Sequence, residues 1–323
     1  MSKRLMRWLG GLLALGAGLY FIRYAEKALI GKDLSGLMDG KVMLAAALLT
    51  ALYVLLIPTT ALAWTWLLHA MQQPARYSRM LPIMATTQFG KYLPGNVAQH
   101  IGRIALARTA GVSLPAALFS VAYEMLLMLV ACAHISALTL LWAPPTILSH
   151  WKISEYRLPL LIVVTLGAIV ALLLAPRMAS WLARYRASRR GDPDYVPPKL
   201  HLNATTALAC YAVYTLNFCL IGGGLWLLAH ALPASSGTTA PSAVFLTGAF
   251  ASSWILGFIA PGAPAGLGIR EAILSAWLIG SLPPAQIVLL VVALRIATTL
   301  GDLFNFAWGS VAAGRISNRG LSN

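Results

Sequence analysis

The sequence predicts an all-α integral membrane protein of about six spans and two re-entrant broken-helix hairpins, arranged as two inverted-topology repeats. Three observations lead there. Hydrophobic residues make up 59% of the 323-residue chain and charged residues only 10%, with a mean hydropathy of +0.75, too little polar surface for a soluble fold. Several uncharged runs reach the roughly 20 residues that a helix needs to cross a hydrocarbon core. Two Gly/Pro-interrupted segments match each other at a fixed offset: Gly90, Pro94, Gly95 and Arg103 in the first half, and Gly257, Pro261, Gly262 and Arg270 in the second, each pair 167 residues apart. Paired interruptions of this kind in the two halves of a membrane protein point to a transport site.

Taken in order, residues 8–22 form a short apolar stretch behind Lys3, Arg4 and Arg7. With no convincing small-residue cleavage site before a soluble domain, it reads as a retained first span rather than a signal peptide. Further spans are expected at 42–71, 112–141, 158–175, 202–232 and 284–313. Basic residues near helix ends stay cytoplasmic, which assigns that side to both termini and to 177–199, with Arg177, Arg184, Arg186, Arg189, Arg190 and Lys199. The uncharged loop 233–241 and the mixed segment 23–41 then face outward. Each interrupted segment must leave on the side it entered, giving hairpins at about 81–110 and about 244–282 and halves of about 1–150 and 151–323 within one polytopic domain. Two hairpins meeting from opposite faces enclose the kind of protein-lined cavity in which non-helical backbone is tolerated at membrane depth.

The residues around these breaks suit an anionic headgroup. A helix starting inside the membrane aims unpaired N–H groups and a partial positive charge at its ligand, and phosphate is the natural partner. In the first hairpin a helix is expected from about Asn96, capped by that residue, with Asn96, Gln99, His100 and Arg103 on one face. In the second, Gly262, Gly266 and Gly268 permit close backbone approach, and Arg270 and Glu271 open the next helix. Arginine grips phosphate with a bidentate fork. Lys91 and Tyr92 fit an interfacial anchor as well as a headgroup contact. His100 fits a hydrogen-bonded structural role as well as proton transfer, and Glu271 fits a pair with Arg270 or with its own helix start. Within the spans, Glu124 and Arg295 occupy similar depths in equivalent helices, so a cross-bundle ion pair between them is expected, structural or coupled to a proton gradient. Asp302 and Asn305 extend the Arg295 face or mark the helix end.

Other chemistry is not evident. Cys132, Cys210 and Cys219 have no metal-ligand spacing, and there is no H-x-x-x-H pair, P-loop or Gly-x-Ser-x-Gly elbow. No metal, cofactor or enzymatic activity is expected, and the net charge of +15 is read as attraction to anionic lipid rather than to nucleic acid.

The run Gln88-Phe-Gly-Lys-Tyr-Leu-Pro-Gly-Asn-Val-Ala-Gln-His-Ile-Gly-Arg103 together with Pro261-Gly-Ala-Pro-Ala-Gly-Leu-Gly-Ile-Arg-Glu-Ala272 resembles the transmembrane flippase-like domain of lysylphosphatidylglycerol synthases. The resemblance spans nearly the whole chain. It implies a bacterial or archaeal cytoplasmic membrane protein and, since the chain ends at Asn323, lipid translocation without lipid synthesis. The expected partners are membrane lipids, an anionic phospholipid or a lipid-linked carrier; envelope-biosynthesis enzymes and further copies of the chain stay open. Two other readings remain: a non-transporting assembly subunit docking through 177–199, and a membrane-embedded transferase using His100 or Glu124 as base.

Overall fold

The computed structural model describes residues 39–92, 97–148, 153–189, 202–232, 240–260 and 264–320, with isolated positions between 19 and 30. The expected first span at 8–22 lies almost entirely outside them. Ten α-helices make up the described chain, without a strand among the described residues, as an all-α membrane protein requires. Among the described residues, five helical stretches are long and apolar enough to cross a membrane: Gly40–Ala70, Leu114–Trp142, Arg157–Tyr185, Ala204–Ala231 and Pro284–Gly314.

The first stretch is two helices, α1 (Gly40–Val54) and α2 (Leu56–Ala70), meeting at Leu55. Pro58 explains the joint, because it has no N–H to give the carbonyl of Val54 four residues earlier. Asn305 supplies the missing donor from a distant helix, its Nδ2 lying 3.3 Å from Val54 O. A short hairpin follows, α3 (Tyr77–Thr87), a 3₁₀ turn over Gln88–Tyr92 and α4 (Ala98–Thr109). Then come the long helices α5 (Leu114–Trp142), with Pro115 in its first turn, α6 (Ile153–Arg189) and α7 (Ala204–Ala231). Asn203 caps α7 by accepting from Thr206 N at 3.0 Å, and Ser242 caps α8 (Ala243–Ile259) by accepting from Phe245 N at 3.2 Å. The second hairpin continues with a 3₁₀ turn at Pro264–Gly266 and α9 (Ile269–Leu278), entered through Gly268 at φ 80°. Helix α10 (Pro284–Gly320) completes the described chain.

Helix α6 runs fourteen residues beyond the expected limit at 175, because its later turns carry arginines that end a hydropathy run without ending a helix.

The two hairpins are seated reciprocally. Helix α3 packs on α10 and α2, whereas α8 packs on α5 and α7. In each hairpin the second helix lies against the long helix that follows it, α4 on α5 and α9 on α10. The core between them is built on Trp64, Leu127, Tyr214, Leu225 and Leu246, all essentially fully buried, and Trp64 satisfies its indole N–H on Ser120 Oγ at 2.9 Å. Glycine sets the α7–α8 distance. A Cβ on Gly222 would lie 2.6 Å from Thr247 Cα, whereas one on Gly223 would meet nothing within 4 Å. Gly222→Ala is therefore expected to cost about 1–3 kcal/mol by overpacking, and Gly223→Ala to leave stability unchanged or slightly raised. Thermal unfolding in detergent, followed by tryptophan fluorescence, checks the contrast.

Candidate functional site: a charged cavity between two hairpins

Between the hairpins lies a cavity of about 170 Å³, walled by α1, α2, α5, α7, α8 and α10 as well as by both hairpins. The first hairpin contributes Lys91, Tyr92, Gln99, His100 and Arg103, and the second contributes Ala265 and Arg270. The fold therefore gathers most of the expected site residues. Pro94, Gly95, Asn96, Pro261 and Gly262 lie outside the described residues, and α4 begins at Ala98 behind an N-cap at Val97.

The charges form three pairs. Asp302, fully buried on α10, accepts from Lys91 Nζ at 2.7 Å, Tyr53 OH at 3.1 Å and Tyr92 OH at 2.6 Å. Both carboxylate oxygens are thereby satisfied, as a buried anion requires. Arg103 and Glu124, 3% and 2% exposed, meet at 2.8 Å. The guanidinium lies 4.7 Å from the Trp64 ring centroid, within cation–π range. Arg295 Nε lies 3.3 Å from Glu271 Oε1.

This corrects two expectations. Glu124 pairs with Arg103, not Arg295, and Glu271, in the first turn of α9 as expected, pairs with Arg295, not Arg270. Similar depth in two helices does not make their side chains face one another. The packing of α4 on α5 and of α9 on α10 decides the partners, so each short hairpin helix exchanges an ion pair with the long helix after it.

Three cations and three carboxylates are used in these pairs, and the fourth cation of the cavity, Arg270, makes no ion pair among the described residues. Its guanidinium lies 5.7 Å from the Trp254 ring, and its Nε is buried without a hydrogen-bond partner. Arg103 Nε and Nη2 and Glu124 Oε2 are likewise buried and unpartnered among the described residues. The cavity thus carries one surplus positive charge and several unused donors. A phosphate accepts from such donors in a bidentate grip.

Glycines make room for this arginine. A Cβ on Gly257 would collide with Arg270 Cγ, and one on Gly266 would lie 2.6 Å from Arg270 Nε. Gly266 also sits at φ +70°, where a side chain is strained. Gly90 serves a different purpose, since a Cβ there would lie 2.6 Å from Gln99 N and would separate the 3₁₀ turn from α4. Gln99 and His100 contact each other at 3.2 Å and both face the cavity.

Sequence reasoning missed Tyr53, Trp254, Tyr214 and Asn217, which also line the cavity. Asn217 on α7 accepts from Thr59 Oγ1 at 2.8 Å and donates to Thr60 Oγ1 at 3.2 Å. The available signal was local: Trp254 precedes Gly257 by one helical turn, and Thr59 and Thr60 directly follow the helix-breaking Pro58.

No curated protein matches this chain. A family model described as the lysylphosphatidylglycerol synthase TM region matches residues 7–304, nearly the whole chain, and the protein belongs to that family.

Proposed function

We propose that the protein moves an anionic phospholipid, or a lipid-linked phosphate headgroup, across the cytoplasmic membrane. The headgroup passes through the cavity between the hairpins and the acyl chains stay in the bilayer. The uncompensated Arg270 carries this reading. A partly buried cation with a buried, unpartnered Nε and no ion pair among the described residues is costly, and a phosphate arriving beside it offsets that cost.

The internal repeat supports the same reading. At the 167-residue offset α3 corresponds to α8, α4 to α9 and α5 to α10. The reciprocal seating of the hairpins is what two halves of opposite orientation would produce, with α4 and α9 approaching one cavity from the two faces. In this account the hairpins are re-entrant, the stretch at 8–22 supplies a sixth span and both termini are cytoplasmic. The protein acts as a translocator rather than an enzyme, with lipid as its partner.

Proteoliposomes test the proposal. Acyl-labelled phosphatidylglycerol in vesicles containing the protein is expected to cross to the other leaflet faster than in protein-free vesicles, read by the fraction of label open to a membrane-impermeant quencher. Equal rates with and without folded protein would overturn transport of this lipid and favour an assembly role. A chemically altered lipid would favour a transferase.

A further inference from the structure

A second lipid-shaped feature lies away from the central cavity. Helix α6 packs on α5 along one side, and a groove of about 1230 Å³ opens between α6, α5 and α7. The α6 wall is one continuous stripe that changes character along its length. Ile169, Leu172 and Leu173 are apolar, and Arg177, Ser180 and Arg184 follow on the same face. At 1.5 Å per residue, Thr165 lies about 18 Å from Arg177, close to one leaflet of a hydrocarbon core about 30 Å thick. At the far end of the apolar stretch His134 contacts Thr165 Oγ1 at 3.2 Å and Tyr211 OH at 3.3 Å. Trp181 lies between the two arginines and is 55% exposed, in keeping with an interfacial aromatic.

Charge decides the occupant. Arg177 and Arg184 form no ion pair among the described residues. A second copy of this chain would bring the same two arginines to a two-fold interface, and a chain with 24 basic and 9 acidic residues has little with which to neutralise them. A glycerophospholipid with a net negative headgroup matches both ends of the groove.

We infer that the α5–α6–α7 groove seats one anionic glycerophospholipid, its phosphate between Arg177 and Arg184 and one acyl chain along Ile169–Leu173 toward His134. This seat is distinct from the central cavity: on α5, Tyr123 faces the groove and Glu124 the cavity, and on α7, Tyr211 faces the groove and Tyr214 the cavity. It does not depend on the transport reading.

The test is native mass spectrometry of protein extracted from vesicles of equal parts phosphatidylcholine and phosphatidylglycerol. The wild-type chain is expected to retain at least one phosphatidylglycerol, and Arg76→Gln/Arg79→Gln, which removes two exposed arginines outside both the groove and the cavity, to retain it equally. Arg177→Gln/Arg184→Gln should reduce retention by about tenfold or more, the loss of charge-assisted contacts to one phosphate. Arg177→Lys/Arg184→Lys should keep most of it. Ala207→Phe, which narrows the groove and leaves both arginines, should also expel the lipid. Equal retention of phosphatidylcholine, retention unchanged in Arg177→Gln/Arg184→Gln and Ala207→Phe, equal loss in Arg76→Gln/Arg79→Gln, or dimers in place of retained lipid would each overturn the inference.

Discussion

Glu124→Ala is expected to destabilise the protein by about 3–5 kcal/mol, the cost of stranding a buried partner of an ion pair. Arg103 is 3% exposed, and its other polar contact, Met84 Sδ at 3.0 Å from Nη1, cannot neutralise a charge. The ring of Trp64 beneath it offsets only part of the loss. Arg103→Met/Glu124→Leu, which removes both charges and keeps the volume, is expected to recover most of the stability, because apolar replacement of a whole buried pair is close to neutral. Unfolding in sodium dodecyl sulfate titrations, read by tryptophan fluorescence, measures both. The double variant is further expected to be stable and slow in lipid movement, since Arg103 lines the cavity. A single variant as stable as wild type would mean that Glu124 is not an essential counter-charge.

Arg270→Ala is expected to lower the rate of phosphatidylglycerol movement by about ten- to a hundredfold, the equivalent of one lost hydrogen bond to a charged group, with little loss of stability. Removing an unpaired cation strands no counter-ion. Gly257→Ala is expected to reproduce the functional defect by another route. Gly257 lies inside α8, where alanine is favoured over glycine by about 1 kcal/mol, yet its Cβ would occupy the space of Arg270 Cγ. The variant should therefore stay folded, the helix gain offsetting part of an overpacking cost of about 1–3 kcal/mol, with the arginine pushed from its place over Trp254. Arg270→Lys should fall between, keeping the charge and losing the fork. Initial rates in proteoliposomes, beside thermal midpoints of the same preparations, separate displacement from unfolding. Normal movement by Gly257→Ala would show that the position of Arg270 is not critical.

Much of the fold was legible because hydropathy and helix length are properties of consecutive residues. The spans expected at 42–71 and 112–141 lie within two residues of Gly40–Ala70 and Leu114–Trp142, and the Gly/Pro interruptions marked both hairpins. The ion pairs were not legible, since the choice between Arg103 and Arg295 as partner of Glu124 depends on how α4 lies against α5. The joint at Leu55 was half legible: Pro58 announced a free carbonyl, but nothing local identified Asn305 as its donor. The glycines show the same division. Their positions in the repeat were visible, whereas the reason for Gly257 and Gly266, room for one arginine, needed the path of that side chain.

The most direct test of a cavity with one surplus positive charge is its selectivity for headgroup charge. Initial transbilayer rates of acyl-labelled phosphatidylglycerol and phosphatidylcholine, differing only in headgroup, would be compared in the same proteoliposomes for wild type and Arg270→Ala. The account predicts that wild type moves phosphatidylglycerol much faster than phosphatidylcholine and that Arg270→Ala removes the difference. Equal rates for the two lipids in wild type, or a preference that survives loss of Arg270, would contradict it.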